Sequence, residues 1–173
     1  KLNHVAFIMD GNGRWGKKRN KGRNFGHING VKTVKKIVET SVKLKIPIVT
    51  FYVFSTENWK RPRAEINFLF KLIINYFREE LSNVVSNGIK INIIGKRKNL
   101  PTKIRSALKK VSNLTRENTK IIVNLAINYG SKAEIINAFK KLNKKKNISI
   151  KSLEKNFYTA NLPDPDILIR TGG

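Results

Sequence analysis

The sequence predicts an α/β protein: one domain spanning residues 1–173, built on a central parallel sheet with helices on both faces. Two observations carry this. Short stretches that are apolar throughout, rather than alternating with polar residues, recur along the chain, as strands covered on both faces require. Between them lie segments whose apolar residues recur at helical spacing, the strand–helix alternation of a parallel sheet with right-handed crossovers. Composition agrees, because hydrophobic residues make up 40% of the 173, enough for a real core. No apolar run approaches the roughly 18 residues that span a bilayer, and no secretory signal is visible. Cysteine is absent, which excludes disulfides, thiolate metal sites and cysteine nucleophiles and fits a cytoplasmic protein.

The elements follow in order. His4–Met9 reads as the first strand, and a polar, basic loop is expected from Gly11 to about Gly26. Residues 28–44 place Val31, Val34, Ile37, Val38 and Val42 at helical spacing. Ile48–Phe54 is a continuous apolar strand, followed by a polar loop from Ser55 to Arg63. A helix restarts at Ala64, with Ile66, Leu69, Ile73, Phe77, Leu81 and Val84 as one wide stripe and Gly88 as its stop. That stripe is either ordinary core or, if the ligand carries a long hydrocarbon, the wall of a tunnel. Ile89–Ile94 is a third strand, and Pro101-Thr102 opens a basic amphipathic helix to about Asn118. Ile121–Ile127 is a fourth strand, Ser131–Leu142 a helix, Ser149–Tyr158 a weaker helix, and Asp166–Ile169 the last strand.

Ligands of open parallel sheets bind at the carboxyl ends of the strands. Four strands here run into polar loops: Asp10-Gly11-Asn12-Gly13, Ser55-Thr56-Glu57-Asn58, Asn128-Tyr129-Gly130 and Arg170-Thr171-Gly172-Gly173. Their shared edge argues for one active site. The first loop is the most informative. Asp10 brings a carboxylate to a strand end, Gly11 and Gly13 let the backbone turn and expose N–H groups, and Arg14 and Trp15 follow. Carboxylate for a cation, amides and guanidinium for phosphate oxygens, and an aromatic face for an apolar tail suit a metal-bound diphosphate. The second loop packs hydroxyls, a carboxylate, an amide, an indole and a guanidinium between Ser55 and Arg61. Its plain alternative is a capped helix start, with Thr56 or Asn58 as cap. Asn58 is no strong base, but it can orient a substrate or relay a proton. His27, near Arg23, is either structural or a phosphate contact; His4 reads as structural.

Thirty-six Lys+Arg against 11 Asp+Glu give a net charge of +25. Lysine, asparagine and isoleucine are all abundant, so most of this charge reads as compositional bias on solvated surfaces such as Lys140–Asn147. It still favours anionic substrates and anionic membrane surfaces. A nucleic-acid or polyanion-binding module would explain the charge but not the strand-end loops. A dinucleotide-binding oxidoreductase would explain Gly11-Asn12-Gly13-Arg14-Trp15-Gly16, which formally matches G-x-G-x-x-G, but the segment after it is basic rather than an apolar helix, and Asp10 would face the pyrophosphate.

Five segments together resemble a known family: His4 through Trp15, Gly26-His27, Phe54 through Pro62, Asn124 through Gly130, and Asp164 through Gly173. The chain is similar along its whole length to the cis-prenyltransferases, above all to bacterial undecaprenyl diphosphate synthases. The resemblance implies a parallel-sheet fold with a hydrophobic tunnel, usually a homodimer. It implies transfer of isopentenyl diphosphate units to an allylic diphosphate such as farnesyl diphosphate, with Z double bonds and Mg2+, toward a carrier lipid for cell-wall glycans. It casts Asp10 as the catalytic and magnesium-linked aspartate, and Gly11, Asn12, Gly13 and Arg14 as the allylic diphosphate cradle, with Trp15, Arg23 and His27 nearby. Ser55, Thr56, Glu57, Trp59 and Arg61 match the second substrate loop, Asn58 the asparagine linked to proton acceptance, and Arg170 an arginine that holds isopentenyl diphosphate. No nucleic-acid partner is implied; peripheral contact with the inner face of an anionic membrane is.

The sequence departs from the family pattern in stopping at Arg170-Thr171-Gly172-Gly173. The family continues for several dozen residues that carry a glutamate near the metal, an Arg-x-Ser grip on isopentenyl diphosphate and much of the dimer contact. The chain therefore reads as C-terminally shortened, and a true truncation is expected to be nearly inactive. Non-catalytic relatives tend to lose the first aspartate motif, which this chain keeps.

Overall fold

The computed structural model describes residues 1–142 and 148–172. Within them the chain forms β1 (His4–Ile8), α1 (Asn12–Lys18), α2 (Gly22–Lys43), β2 (Ile48–Ser55), a 3-10 turn (Thr56–Lys60), α3 (Arg63–Ser86), β3 (Ile89–Ile94), α4 (Thr102–Leu114), β4 (Ile121–Tyr129), α5 (Ser131–Leu142), α6 (Ile150–Glu154) and β5 (Ile167–Arg170). All strand pairings are parallel, in the order β3-β4-β2-β1-β5. The expected fold class is therefore the observed one. The four strands with polar ends, β4, β2, β1 and β5, are neighbours, which is why their loops converge.

The faces of the sheet differ. One carries Val49, Phe51, Phe54, Ile91, Ile93, Val123, Leu125 and Ile127, packed with Ile66, Phe70 and Phe77 of α3, Val38 of α2 and Ile104, Leu108 and Val111 of α4. Across the opposite face runs a buried polar row. Asn92 Nδ2 donates to Asn124 Oδ1 (2.9 Å), Asn124 Nδ2 to Thr50 Oγ1 (2.9 Å), and Thr50 Oγ1 lies 2.7 Å from His4 Nε2. His4 Nδ1 lies 2.7 Å from the Pro163 carbonyl, an acceptor only, so Nδ1 carries the hydrogen and Nε2 accepts from Thr50. The row ties β3, β4, β2 and β1 in register and leaves His4 no free nitrogen. Toward the carboxyl end the same face continues through the edge-on Tyr52–Tyr129 and Tyr129–Tyr158 contacts, centroids 5.7 and 6.5 Å apart.

One expectation is corrected. Gly11 to Gly26 is not a loop: α1 starts at Asn12, and α2 starts at Gly22 rather than at residue 28. The reason is close helix crossing. A Cβ on Gly16 would lie 2.1 Å from the Gly22 carbonyl oxygen, and one on Gly26 would lie 1.8 Å from the Asn12 carbonyl oxygen. Gly16 and Gly26, inside the stretch that reads as a loop, are where the two helix backbones touch. Boundaries elsewhere shift modestly. α4 ends at Leu114 rather than near Asn118, α6 covers only Ile150–Glu154, and β2 and β4 run on to Ser55 and Tyr129. Of the basic run Lys140–Asn147, residues 143–147 lie outside the described residues, as does Gly173 of the last motif.

Candidate active site

β1 delivers Asp10 to the carboxyl edge, where Gly11 turns the chain with φ +85 and begins α1. The turn is tight because Gly172 packs against it, its α-carbon 2.8 Å from where a Gly11 Cβ would stand. Asp10 Oδ1 accepts from the Gly11 N–H (2.7 Å) and Oδ2 from Arg170 Nη2 (3.1 Å), while Arg14 Nη2 stands 3.9 Å away. Thr171 Oγ1 donates to the Asp10 carbonyl, and Arg14 donates to the Gly172 carbonyl. β5 thus brings Arg170 onto the first motif, 160 residues away in sequence. The Gly11 amide, then the Arg170 guanidinium, hold the Asp10 carboxyl below its usual range, so it is an anion at neutral pH with its side chain 39% exposed.

The second constellation has a centre that sequence reasoning missed. Glu65, in the first turn of α3, is only 9% exposed. Arg23 Nε and Nη2 donate to its two oxygens, both at 2.9 Å, in a bidentate fork. His27 Nε2 reaches it at 3.1 Å and Arg61 Nη1 at 3.3 Å. Burial alone raises the Glu65 carboxyl, but the Arg23 and His27 hydrogen bonds and the Arg23 and Arg61 charges outweigh it and hold it below normal. Burial, helped by the Arg61 and Arg23 charges, pushes His27 below its ordinary value against the pull of Glu65. His27 is therefore a neutral imidazole whose Nε2–H points at the carboxylate. Three groups nominated as anion ligands converge on one internal anion.

The third constellation follows β2. The register of β2 against β4 shifts between Tyr52 and Phe54 and again before Ser55, which turns Phe54 into the core against Phe70 and Trp59. The Ser55 N–H donates to Asn58 Oδ1 (3.1 Å), so Asn58 is an arm of a capping box. The plain capping reading was partly right, with Ser55 rather than Thr56 as the cap residue. With its oxygen engaged, Asn58 offers the site an amide NH2, a donor. Trp59 Nε1 donates to Asn128 Oδ1 (2.8 Å), and Asn128, at φ +53, donates to the Lys96 and Lys98 carbonyls. Thr56 Oγ1 lies against Gly130, 2.5 Å from where a Cβ would be.

A cavity of about 630 Å³ joins these parts. Its mouth is lined by Asp10, Gly11, Asn12, Gly13, Arg14, Arg23, His27, Ser55, Glu57, Asn58, Arg61 and Arg170, and its body by Val31 and Val34 of α2, Leu69, Ile73 and Phe77 of α3, and Leu125 and Ile127 of β4. Three nominated residues lie outside it. Trp15 stacks on Phe25 (centroids 5.8 Å) with Arg19 over its ring at 3.9 Å and borders a second cavity of about 320 Å³ beside β1. Thr56 and Trp59 brace the loop. Besides Glu65, Glu134 went unnoticed. It is buried, takes the Tyr129 hydroxyl on Oε2 (2.6 Å) and the Tyr158 N–H on Oε1 (2.7 Å), and so anchors the Asn128-Tyr129-Gly130 loop. Among the described residues no three Asp, Glu or His side chains converge as a preformed metal cage, and no helix is long and apolar enough to cross a membrane.

Comparison with known proteins gives one answer. The prenyltransferase family model of undecaprenyl diphosphate synthases matches residues 8–173. The isoprenyl transferase of Fusobacterium nucleatum is 43% identical over 172 residues, 98% of this chain and 74% of that one. That of Clostridium tetani is 44% identical over 178 residues, 98% of this chain and 70% of that one. Among solved structures, a lavandulyl diphosphate synthase from Lavandula x intermedia, in complex with dimethylallyl diphosphate, superposes with a TM-score of 0.91 at 28% identity, covering 98% of this chain and 77% of that one. A probable undecaprenyl diphosphate synthase from Campylobacter jejuni gives 0.83 at 33%, covering 100% and 76%.

Proposed function

Because the chain belongs to the undecaprenyl diphosphate synthase (isoprenyl transferase) family, a family of prenyltransferases, we propose that it condenses isopentenyl diphosphate onto an allylic diphosphate, farnesyl diphosphate for choice, with Z stereochemistry. The product is a long polyprenyl diphosphate for a cell-wall carrier lipid. The observation that carries this reading is one cavity, of about 630 Å³, that joins a cationic mouth to an apolar body. A diphosphate head needs the first and a prenyl tail the second, whereas a nucleic acid or a dinucleotide has no use for an apolar body of this kind. Of the glycines that matched a dinucleotide pattern, Gly11 turns the chain against Gly172, Gly13 faces the Arg23 side chain and Gly16 serves the helix crossing.

In this reading the allylic diphosphate lies against the open N–H groups after Asp10 and the guanidinium groups of Arg14, Arg23 and Arg61. These donors stabilise negative charge as the allylic C–O bond breaks and the diphosphate leaves with the electron pair. The alkene of isopentenyl diphosphate, held near Arg170 and Ser55, attacks the allylic carbon, and a C2 proton passes to an oxygen of the departed diphosphate. Asn58, whose free group is an NH2, positions that oxygen rather than accepting the proton. Asp10 offers a carboxylate that is 39% exposed at the mouth, and among the described residues no group of three acids or histidines gathers there, so Asp10 together with substrate phosphates would hold Mg2+. Bound there, Mg2+ supplies positive charge against the diphosphate oxygens. A homodimer and peripheral contact with anionic lipid through the +25 surface complete the proposal.

The test is incubation of the full-length protein with farnesyl diphosphate, labelled isopentenyl diphosphate and Mg2+, followed by chromatography of extracted lipids. Label in long lipids, lost with EDTA and reduced roughly a hundredfold or more by Asp10→Ala, is expected. Absence of labelled lipid from folded protein, or near wild-type turnover by Asp10→Ala, would overturn it.

A further inference from the structure

We propose that Asn128, which lines no part of the main cavity, is a positioning residue for the transfer reaction: through Trp59 it sets the turn that carries Asn58 and Arg61 to the mouth. The inference rests on the prenyltransferase reading above. The turn Thr56–Lys60 and its flanks have two faces. Ser55, Glu57, Asn58 and Arg61 line the cavity, whereas Thr56 and Trp59 do not. Those two meet the loop after β4 instead. Trp59 Nε1 donates to Asn128 Oδ1 at 2.8 Å, and Thr56 Oγ1 packs on Gly130. The sheet itself gives the turn little support. The β2–β4 register shifts twice before Ser55, and Ser55 with Tyr129 is the last pair. Beyond that pair, side-chain contacts decide where the turn lies.

Asn128 is built to be a fixed point. It is buried, and both ends of its amide are engaged. Oδ1 takes the Trp59 indole, while Nδ2 donates to the Lys96 carbonyl (2.8 Å) and the Lys98 carbonyl (3.2 Å). The Lys96 N–H donates back to the Asn128 carbonyl (3.2 Å). The loop after β3, the end of β4 and the turn after β2 therefore meet at one side chain. Its φ of +53 lies in the left-handed region, which asparagine tolerates better than most side chains. A primary amide also supplies an acceptor and two donors from one planar group. Phe54 and Phe70 hold the indole from the core side, with centroids 5.3 and 5.7 Å away, and the Asn128 bond fixes its polar edge. Asn58 is the next residue to Trp59 in a turn of five, so a shift of the indole moves Asn58 with it. A misplacement of about 1 Å in a group that orients a reacting atom can cost ~100-fold in rate.

The experiment measures kcat for the full-length wild type, Asn128→Gly, Trp59→Phe and the double variant, with farnesyl diphosphate, labelled isopentenyl diphosphate and Mg2+. Glycine keeps the positive φ and removes the amide; phenylalanine keeps an aromatic ring against Phe54 and Phe70 and removes the N–H. Each single variant should lose about tenfold in kcat, the value of one hydrogen bond. The double variant should lose no more than either alone, because both changes cut the same bond. The indole N–H proton resonance that Trp59→Phe abolishes should move upfield in Asn128→Gly. A purely structural Asn128 would instead lower the urea midpoint and leave kcat of the folded protein unchanged. Should Asn128→Gly not fold, judged by circular dichroism, Trp59→Phe carries the comparison, with a tenfold loss at an unchanged urea midpoint as the expected result. If the wild type makes lipid and the folded single variants match its kcat, or their losses multiply to about a hundredfold in the double variant, this inference is wrong and the prenyltransferase reading stands. If the wild type makes no lipid, that reading fails and this inference falls with it.

Discussion

At the level of single residues, the site divides into groups that can face a substrate and groups that aim them. Asp10 keeps its carboxylate 39% exposed, whereas Glu65 is enclosed by Arg23, His27 and Arg61. We read Glu65 as a positioning residue. Its charge fixes the Arg23 fork and the tautomer of His27, and it lowers the net positive charge that a diphosphate meets. Glu65→Gln keeps the shape and removes the charge. The expectation is therefore a split: kcat falls about tenfold, the value of one charge-assisted hydrogen bond, while KM for the allylic diphosphate does not rise. The His27 titration, followed by proton NMR with His4 as the only other histidine, should move to lower pH once the carboxylate that opposes its downward shift is gone. A raised KM with unchanged kcat, or an unmoved His27, would contradict this role. Glu65 escaped the sequence reading because a glutamate in a first helical turn is ordinary there. Its partners Arg23 and His27 are 42 and 38 residues away.

Among the elements, the α1–α2 crossing is the feature that sequence periodicity could not anticipate. α1 has too few residues to show an apolar stripe, and its contact face is made of glycine, which carries no hydrophobic signal. The close approach is nonetheless demanding. With a Cβ 1.8 Å from the Asn12 carbonyl oxygen, Gly26→Ala must push α1 off α2. A loss of about 1–3 kcal/mol is expected from such overpacking, seen as a lower urea midpoint at unchanged m-value. Activity should fall as well, because α1 carries Arg14 and α2 carries Arg23 and His27. Wild-type stability in Gly26→Ala would mean that the helices sit further apart than described. The long periodic elements were legible by contrast. Of the predicted α3 stripe, Ile66, Phe77 and Val84 are buried and Leu69, Ile73 and Leu81 pack partly buried against the same core, joined by Phe70, which the stripe omitted; β3 and α5 have the predicted bounds, since a long amphipathic or fully apolar run admits few other solutions.

For the molecule as a whole, folded-state charge placement predicts the pH dependence of stability. Asp10, Glu65, Glu80 and Asp166 have carboxyls held below their ordinary values of 3.8 and 4.5, and His27 is held below 6.5. For each, the unfolded chain binds the proton more tightly, so stability rises with pH in its range. The stabilisation is complete above the unfolded value and is lost as pH falls through the lower folded one. Acid also adds to a net charge already at +25, with the same sign of effect. Denaturant midpoints should therefore decline as pH drops below about 6.5 and fall steeply below about 4.5; a midpoint that rises from pH 7 to pH 4 would contradict this. At the alkaline end Tyr76 and Tyr129, both pushed up by burial first, keep their protons in the fold, so stability declines as pH passes through the usual tyrosine range toward their higher folded values. By itself the sequence determined the parallel α/β architecture, the convergence of four strand-end loops, and the set of functional groups that the first of them brings to the edge. Those depend on local apolar patterning and on residue chemistry within a few positions. Only the tertiary structure decided that Arg170 meets Asp10, that Glu65 gathers three cations, that Asn58 spends its oxygen on a cap, and that Trp15 lies outside the main cavity. Each of these is a contact between, or a choice among, groups whose distance is set by packing, and side-chain type alone leaves that distance open.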